Sequence, residues 1–128
     1  MIPGIVYVAG PMTGRPEFNF PLFNLTAARL LGMGWLVENP ADNGGDTTLA
    51  WDYYMREGIK QLVKCTSIAL LPEWEQSRGA RLELRIAIAL DLDVYLVYPN
   101  EPDDADVLAR MTHVEMLGLL NAAEAAAA

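Results

Sequence analysis

One carboxylate sits where an ordinary surface residue would not. The stretch S-R-G-A-R-L-E-L-R-I-A-I-A-L, Ser77–Leu90, opens with a small polar residue and a glycine and then runs without proline. On a helical wheel at about 100° per residue, Arg78, Arg81 and Arg85 gather on one side. Glu83 falls opposite them, within about 60° of Gly79, Ala80, Ile86, Ala87 and Leu90. A surface glutamate gains from a basic partner three or four residues away, and none of those positions holds one. Burying a carboxylate is costly unless it is bonded or used. Two readings follow. Glu83 lies at a rim and snorkels to water, or it is held at the edge of a ligand pocket.

Other chemistry-bearing residues give weaker signals. Gly10-Pro11-Met12-Thr13-Gly14 lacks both the G-x-G-x-x-G dinucleotide pattern and the G-K-[ST] ending of a P-loop. Ser77-x-Gly79 reads first as a helix N-cap, and as an anion seat if a pocket faces it, because helix amides attract negative charge. Trp51, Tyr53 and Tyr54 read as packing groups. Trp74 falls in a loop before the Ser77 helix and is a candidate to contact a ligand. His113 has no cysteine or second histidine close by, so no metal site is expected. Cys65 lies between a helix end and a strand, a usual place for a structural thiol. No cofactor is expected.

These residues need a frame to position them. Ile5–Ala9 reads as a buried strand, followed by a Gly10–Phe20 loop and a helix to about Leu31. Trp35–Asn39 reads as a second strand, with a polar turn over Ala41–Thr48. A helix over Leu49–Lys64, a strand over Ser67–Leu71, the Ser77 helix and a strand over Val94–Val97 come next. An acidic turn, Pro99–Asp104, precedes a final helix from about Asp106 to Asn121. The alanine tail from Ala122 has little to bury and is expected to fray. Strands alternating with helices predict an α/β three-layer sandwich, a Rossmann-like (flavodoxin-like) parallel sheet with helices on both faces. Ligands in such sheets sit beyond the carboxyl ends of the strands, at a topological switch point. That edge should gather the loops Gly10–Phe20, Pro40–Thr48 and Pro72–Gly79.

Composition limits the partners. The chain has 128 residues, 52% of them hydrophobic and 20% charged, which suits one globular domain over residues 1–128. A net charge of −8 would repel a nucleic-acid polymer. No apolar run suits a bilayer span, and M-I-P-G-I-V-Y-V-A-G-P lacks the basic and long apolar regions of a signal peptide. A lone cysteine cannot close an internal disulfide. The expectation is a cytoplasmic protein with a small-molecule partner, no nucleic acid and no membrane.

Several segments together resemble a known superfamily: V-Y-V-A-G-P-M-T-G (Val6–Gly14), N-F-P-L-F-N (Asn19–Asn24), N-P-A (Asn39–Ala41), Y-M-R (Tyr54–Arg56) and L-L-P-E-W-E-Q-S-R-G-A-R-L-E (Leu70–Glu83). In this order and spacing they resemble the small, mostly phage and bacterial, nucleoside 2-deoxyribosyltransferase-like family. The resemblance implies a Rossmann-like sandwich that cleaves the N-glycosidic bond of a nucleoside or nucleotide. It implies Glu83 as the residue attacking C1′ and Tyr7 as its hydrogen-bond partner. It further implies a ligand site drawing on Gly10, Pro11, Met12, Asn19, Trp74, Ser77 and Gly79, with serine at position 77 suiting a 5′-phosphate. Assembly as a homo-oligomer would follow, and Val107, Met111, Val114, Leu117 and Leu120 on the final helix could face either a second copy or the chain's own sheet. The sequence departs from the family at Gly58 and Thr66, where acidic residues are usual, and at Glu73, where glycine is usual. Glu57 neighbours the missing acid but is rotated by about 100° on a helix. The expected function is N-glycosidic cleavage or transfer on a deoxynucleoside 5′-monophosphate through a glycosyl-glutamate. One alternative is a pocket of the same shape that binds a nucleotide without turning it over. Another, ranked last because nothing marks an adenosine half-site, is cleavage of a nicotinamide dinucleotide through the same glutamate.

Overall fold

The β-branched and aromatic run I-V-Y-V-A builds an interior strand of the sheet. In the computed structural model, which describes residues 3–128, β1 covers Ile5–Ala9. Its side chains alternate between faces: Val6 and Val8 enter one core, Tyr7 and Ala9 the other. Around it lie β2 (Leu36–Glu38), β3 (Ser67–Leu70), β4 (Asp93–Val97) and β5 (Leu108–Met111), in the order β2-β1-β3-β4-β5. The pairs β1–β2, β1–β3 and β3–β4 are parallel, with Val8 opposite Ala69 and Ile68 opposite Val94.

Five helices complete the layers: α1 (Phe20–Gly32), α2 (Trp51–Leu62), α3 (Arg78–Ala89), α4 (Asp104–Val107) and α5 (His113–Ala127). Phe23 and Leu30 of α1 and Val107 of α4 pack with Val6, Val8 and Leu71 on one face. Leu62 of α2, Leu84 and Ala87 of α3, and Met116 and Leu120 of α5 pack with Tyr7, Ile68 and Val94 on the other. Full burial of each large apolar side chain stabilises by roughly 1.5–3 kcal/mol, so both layers are firmly seated. This is the expected three-layer α/β sandwich with a mostly parallel sheet. No helix among the described residues is long and apolar enough to cross a membrane.

The region after Pro99 differs from the single helix expected over Asp106–Asn121. Asp103 caps α4 by accepting from the Ala105 amide at 3.0 Å, and the chain then turns extended at Leu108. β5 pairs antiparallel with β4, Tyr95 opposite Arg110, and Arg110 reaches Asp93 at 2.8 Å. Thr112 stops the strand. Its hydroxyl accepts the Glu115 amide at 3.1 Å while the Glu115 carboxylate accepts the Thr112 amide at 3.1 Å, a reciprocal capping box that starts α5. The apolar stripe proposed for a subunit contact therefore does not exist as one face. Val107 lies on α4, Met111 on β5, Leu120 is buried inside, and Val114 is exposed. The alanine tail continues as helix through Ala127.

Candidate functional site

The chain leaves β1 toward β2 on one side, and leaves β2 to reach β3 on the other side of β1. Connections thus diverge at the carboxyl ends of β1 and β3, and a crevice opens there. A cavity of ≈650 Å³ occupies it, bounded by Gly10–Met12 after β1, Pro40–Thr47 after β2, and Gln76–Gly79 after β3. The three loops expected at one edge do meet there.

Ties between loops hold the mouth in shape. Arg15 bonds Glu73 at 2.6 Å and Gln76 at 2.8 Å, joining the first loop to the third. Glu73, where the resembled family has glycine, takes a left-handed φ of 69°, the geometry glycine adopts most easily. The second loop is tied to α2 by the Tyr54 hydroxyl, which donates to the Asp46 carbonyl at 2.8 Å. Glu17, Phe18 and Asn19 are all left-handed, with φ of 52°, 54° and 61°. That run is unfavourable for L-residues by roughly 1–2 kcal/mol each. It turns Phe18 and Phe20 onto the mouth, their centroids 5.7 Å apart. Gly45 accepts Phe18 closely, since a β-carbon there would come within 2.8 Å of its ring.

Glu83 reaches the cavity from α3 and is only 6% exposed. Ser77 caps α3 by accepting the Ala80 amide at 3.1 Å, which fixes the helix phase and places Ala80, Glu83, Leu84 and Ala87 inward. The Tyr7 hydroxyl donates to Glu83 Oε2, and Tyr7 is the one protein donor to this carboxyl among the described residues. Burial pushes the Glu83 carboxyl up to about 7, with the Tyr7 hydrogen bond opposing that rise. Burial, then the adjacent Glu83, hold the Tyr7 phenol well above its ordinary value. The rim reading of Glu83 therefore fails: the carboxyl is buried, bonded to Tyr7 and part of the cavity lining.

Gly58 explains how this pair fits beneath α2. It is buried in the middle of that helix. A β-carbon there would stand 2.7 Å from the Tyr7 hydroxyl and 2.9 Å from Glu83 Oε2. The side chains of Tyr7 and Glu83 thus fill the space that a residue other than glycine would need. Thr66 has a different role. Its hydroxyl accepts the Ile5 amide at 3.0 Å and donates to the Ile5 carbonyl at 3.1 Å, bracing the amino-terminal edge of the sheet. Glu57 pairs with Lys60 at 3.0 Å on the surface of α2 and takes no part in the cavity.

Of the residues expected at the site, Tyr7, Gly10, Pro11, Met12, Ser77, Gly79 and Glu83 line the cavity. Asn19 and Trp74 do not. The Asn19 side chain donates to the Pro11 carbonyl at 3.0 Å and braces the first loop. Trp74 is buried in the core with Leu84 and Met116, because its short 3-10 turn folds the indole inward. Conversely Trp51 and Tyr54, expected as packing groups, line the cavity with Met55. Positions 51, 54, 55 and 58 lie on one helical face, so this spacing was the available signal. Tyr53 stays outside the cavity and meets Tyr54 edge-on. The basic face of α3 is not simply solvated. Arg78 stacks 4.1 Å from the Trp51 centroid and lines the cavity, while Arg85 pairs with Glu124 of α5 at 2.9 Å. Burial pushes the Cys65 thiol up to about 12, which keeps it an inert packing group. His113 Nε2 lies 2.7 Å from the Leu92 carbonyl. Among the described residues, no group of three His, Cys, Asp or Glu side chains could hold a metal.

Sheet order, crevice and buried carboxyl define a Rossmann-like α/β protein with a pocket at its switch point. Residues 5–96, which carry β1 through most of β4, match the family described as "Domain of unknown function (DUF4406)", and the chain belongs to that family. None of the curated proteins matches it. A conserved protein from Enterococcus faecalis V583, known from its crystal structure, is similar in fold: TM-score 0.58, 14% identity, with 91% of this chain and 86% of that one covered.

Proposed function

We propose that this protein cleaves or transfers the N-glycosidic bond of a deoxynucleoside 5′-monophosphate, with Glu83 as the attacking residue. The observation that carries the reading is the Glu83 carboxyl at the base of the cavity. Tyr7 fixes Oε2, and no protein donor among the described residues occupies Oε1. A carboxylate held in this way can trap the oxocarbenium-like centre that develops at C1′, as in retaining glycosidases. Tyr7 orients the nucleophile and favours its ionised form. Ser77, Arg78 and Gly79 at the amino end of α3 line the same cavity and suit a 5′-phosphate. Gly58 favours a second reading, a binding module, because the α2 residue nearest the carboxyl supplies no acid. Thr66 carries no weight here, since it serves the far edge of the sheet.

The test is chromatographic release of free base from the four deoxynucleoside monophosphates, by the native protein and by Glu83→Gln. The variant should fold, bind nucleotide and lose base release by several orders of magnitude, of the order of 8 kcal/mol in barrier. A variant that keeps most of the rate removes Glu83 from this role. A native protein that binds nucleotide but releases no base from these, nor from nucleotides whose base already carries a positive charge, leaves the binding module.

A further inference from the structure

The proton inventory of the cavity narrows the leaving group, given the reading of Glu83 as nucleophile. A neutral nucleobase leaves poorly as an anion and needs a proton from a placed acid. Among the described residues, the ionisable groups lining the cavity are Tyr7, Arg15, Asp46, Tyr54, Arg78 and Glu83. The Tyr7 hydroxyl donates its hydrogen bond to Glu83 and the Tyr54 hydroxyl donates to the Asp46 carbonyl, so both are already engaged. Arginine does not release a proton. Asp46 Oδ1 accepts the Thr48 hydroxyl at 2.6 Å and the Thr48 amide at 2.9 Å, and both bonds hold that carboxyl below its ordinary value. Asp46 is therefore an anion at neutral pH. At Gly58, facing the Tyr7–Glu83 pair, there is neither an acid nor room for one.

What the walls offer instead is a setting for positive charge on a flat ring. Phe18, Phe20, Trp51 and Tyr54 present aromatic surface to the cavity, and Asp46 adds a fixed negative charge on the same loop that Tyr54 anchors. Aromatic faces attract cations. One planar cation, the Arg78 guanidinium, already lies over Trp51. We infer that the base this site expels is an aromatic cation, a pyridinium or an N-alkylated purinium, carried on a 5′-phosphorylated sugar.

The chemistry then balances without an acid. Glu83 Oε1 bonds to C1′ as the C1′–N bond breaks. The bonding pair stays on the ring nitrogen and cancels its positive charge, so a neutral base departs and no proton moves. Water next attacks C1′, Glu83 leaves as carboxylate, and the water's proton passes to solvent through the mouth. The substrate's charge also favours the carboxylate form of Glu83, whose apolar surroundings otherwise favour its protonated form.

Two matched pairs test this with the full chain: 7-methyl-2′-deoxyguanosine 5′-monophosphate against deoxyguanosine 5′-monophosphate, and nicotinamide mononucleotide against adenosine 5′-monophosphate. Free base is measured net of the rate without enzyme, for native protein and Glu83→Gln. General acids contribute about 10²–10⁴-fold, so the cationic member of at least one pair should exceed its neutral partner by about 100-fold or more in kcat/KM. Glu83→Gln should abolish that release. Whichever pair responds identifies the ring as purinium or pyridinium. Comparable, Glu83-dependent release from both members of the pairs that react would overturn the cationic leaving group and leave Glu83 as nucleophile. Release from neutral substrates alone would do the same. No release from any of the four would overturn both.

Discussion

Glu83 is held in surroundings that oppose its charge, and its titration should be measurable in both stability and rate. Its carboxyl is raised from 4.5 to about 7, chiefly by burial. The folded protein therefore holds a proton that the unfolded chain releases between those values. Stability from this group is fully present below the unfolded value and is lost as pH rises through the folded one. Denaturant unfolding should show native stability falling by about 3 kcal/mol across that window relative to Glu83→Gln. Parallel curves for the two proteins would show that Glu83 ionises as an ordinary glutamate. Rate should move the opposite way, because only the carboxylate attacks. Base release should rise with pH through the folded value. Tyr7→Phe removes the hydrogen bond that favours the ionised form, so its rising limb should shift to higher pH. A limb that stays in place, with only the height reduced, would assign Tyr7 a role other than tuning this carboxyl.

Helix α2 shows how one element can carry the same residue type for opposite reasons from another. Glycine in a helix interior costs roughly 0.5–1 kcal/mol relative to alanine. Gly118 in α5 has open space where a β-carbon would go, so Gly118→Ala should stabilise by about that amount. Gly58→Ala gains the same propensity but drives a methyl into the Tyr7 hydroxyl and Glu83 Oε2. It should destabilise by about 1–3 kcal/mol and displace the carboxyl, with a change in the pH limb that Gly118→Ala does not cause. Two stabilising substitutions would mean that the pair beneath α2 yields freely. Elements were unequally legible in the sequence. The wheel over Ser77–Leu90 placed Glu83 inward because 3.6-residue periodicity survives without knowledge of neighbours. The same wheel placed Leu90 inward, yet it is half exposed, since α3 ends at Ala89. Trp74 was misplaced because a 3-10 turn has no long periodicity to read. The end of β5 carried a signal that the expected Asp106–Asn121 helix passed over: T-H-V-E at Thr112–Glu115 fits a capping box, which favours a helix start at that point.

Across the whole molecule, the mostly parallel sheet and the position of the crevice followed from the alternation of strands and helices, whereas β5 did not. L-A-R-M is too short and too helix-compatible to be recognised, and only its pairing with β4 makes it a strand. The net charge of −8 disfavours an anionic ligand at long range, yet the pocket places Arg78 and the amino end of α3 beside one another. Local attraction acts within a few ångströms, while the diffuse surface charge is screened beyond about 8 Å at physiological ionic strength. The near field should therefore win, and a nucleotide should bind better than its nucleoside. Because the cavity is bounded by loops following β1, β2 and β3, bound ligand stabilises the whole fold. Linkage gives about 2.7 kcal/mol at a concentration of 100 Kd. For a domain of this size that is a rise in Tm of several degrees. At equal concentration, a deoxynucleoside 5′-monophosphate should raise Tm by more than its nucleoside, and Arg78→Ala should narrow the difference. Equal shifts for nucleotide and nucleoside in the native protein would show that the α3 end does not seat a phosphate.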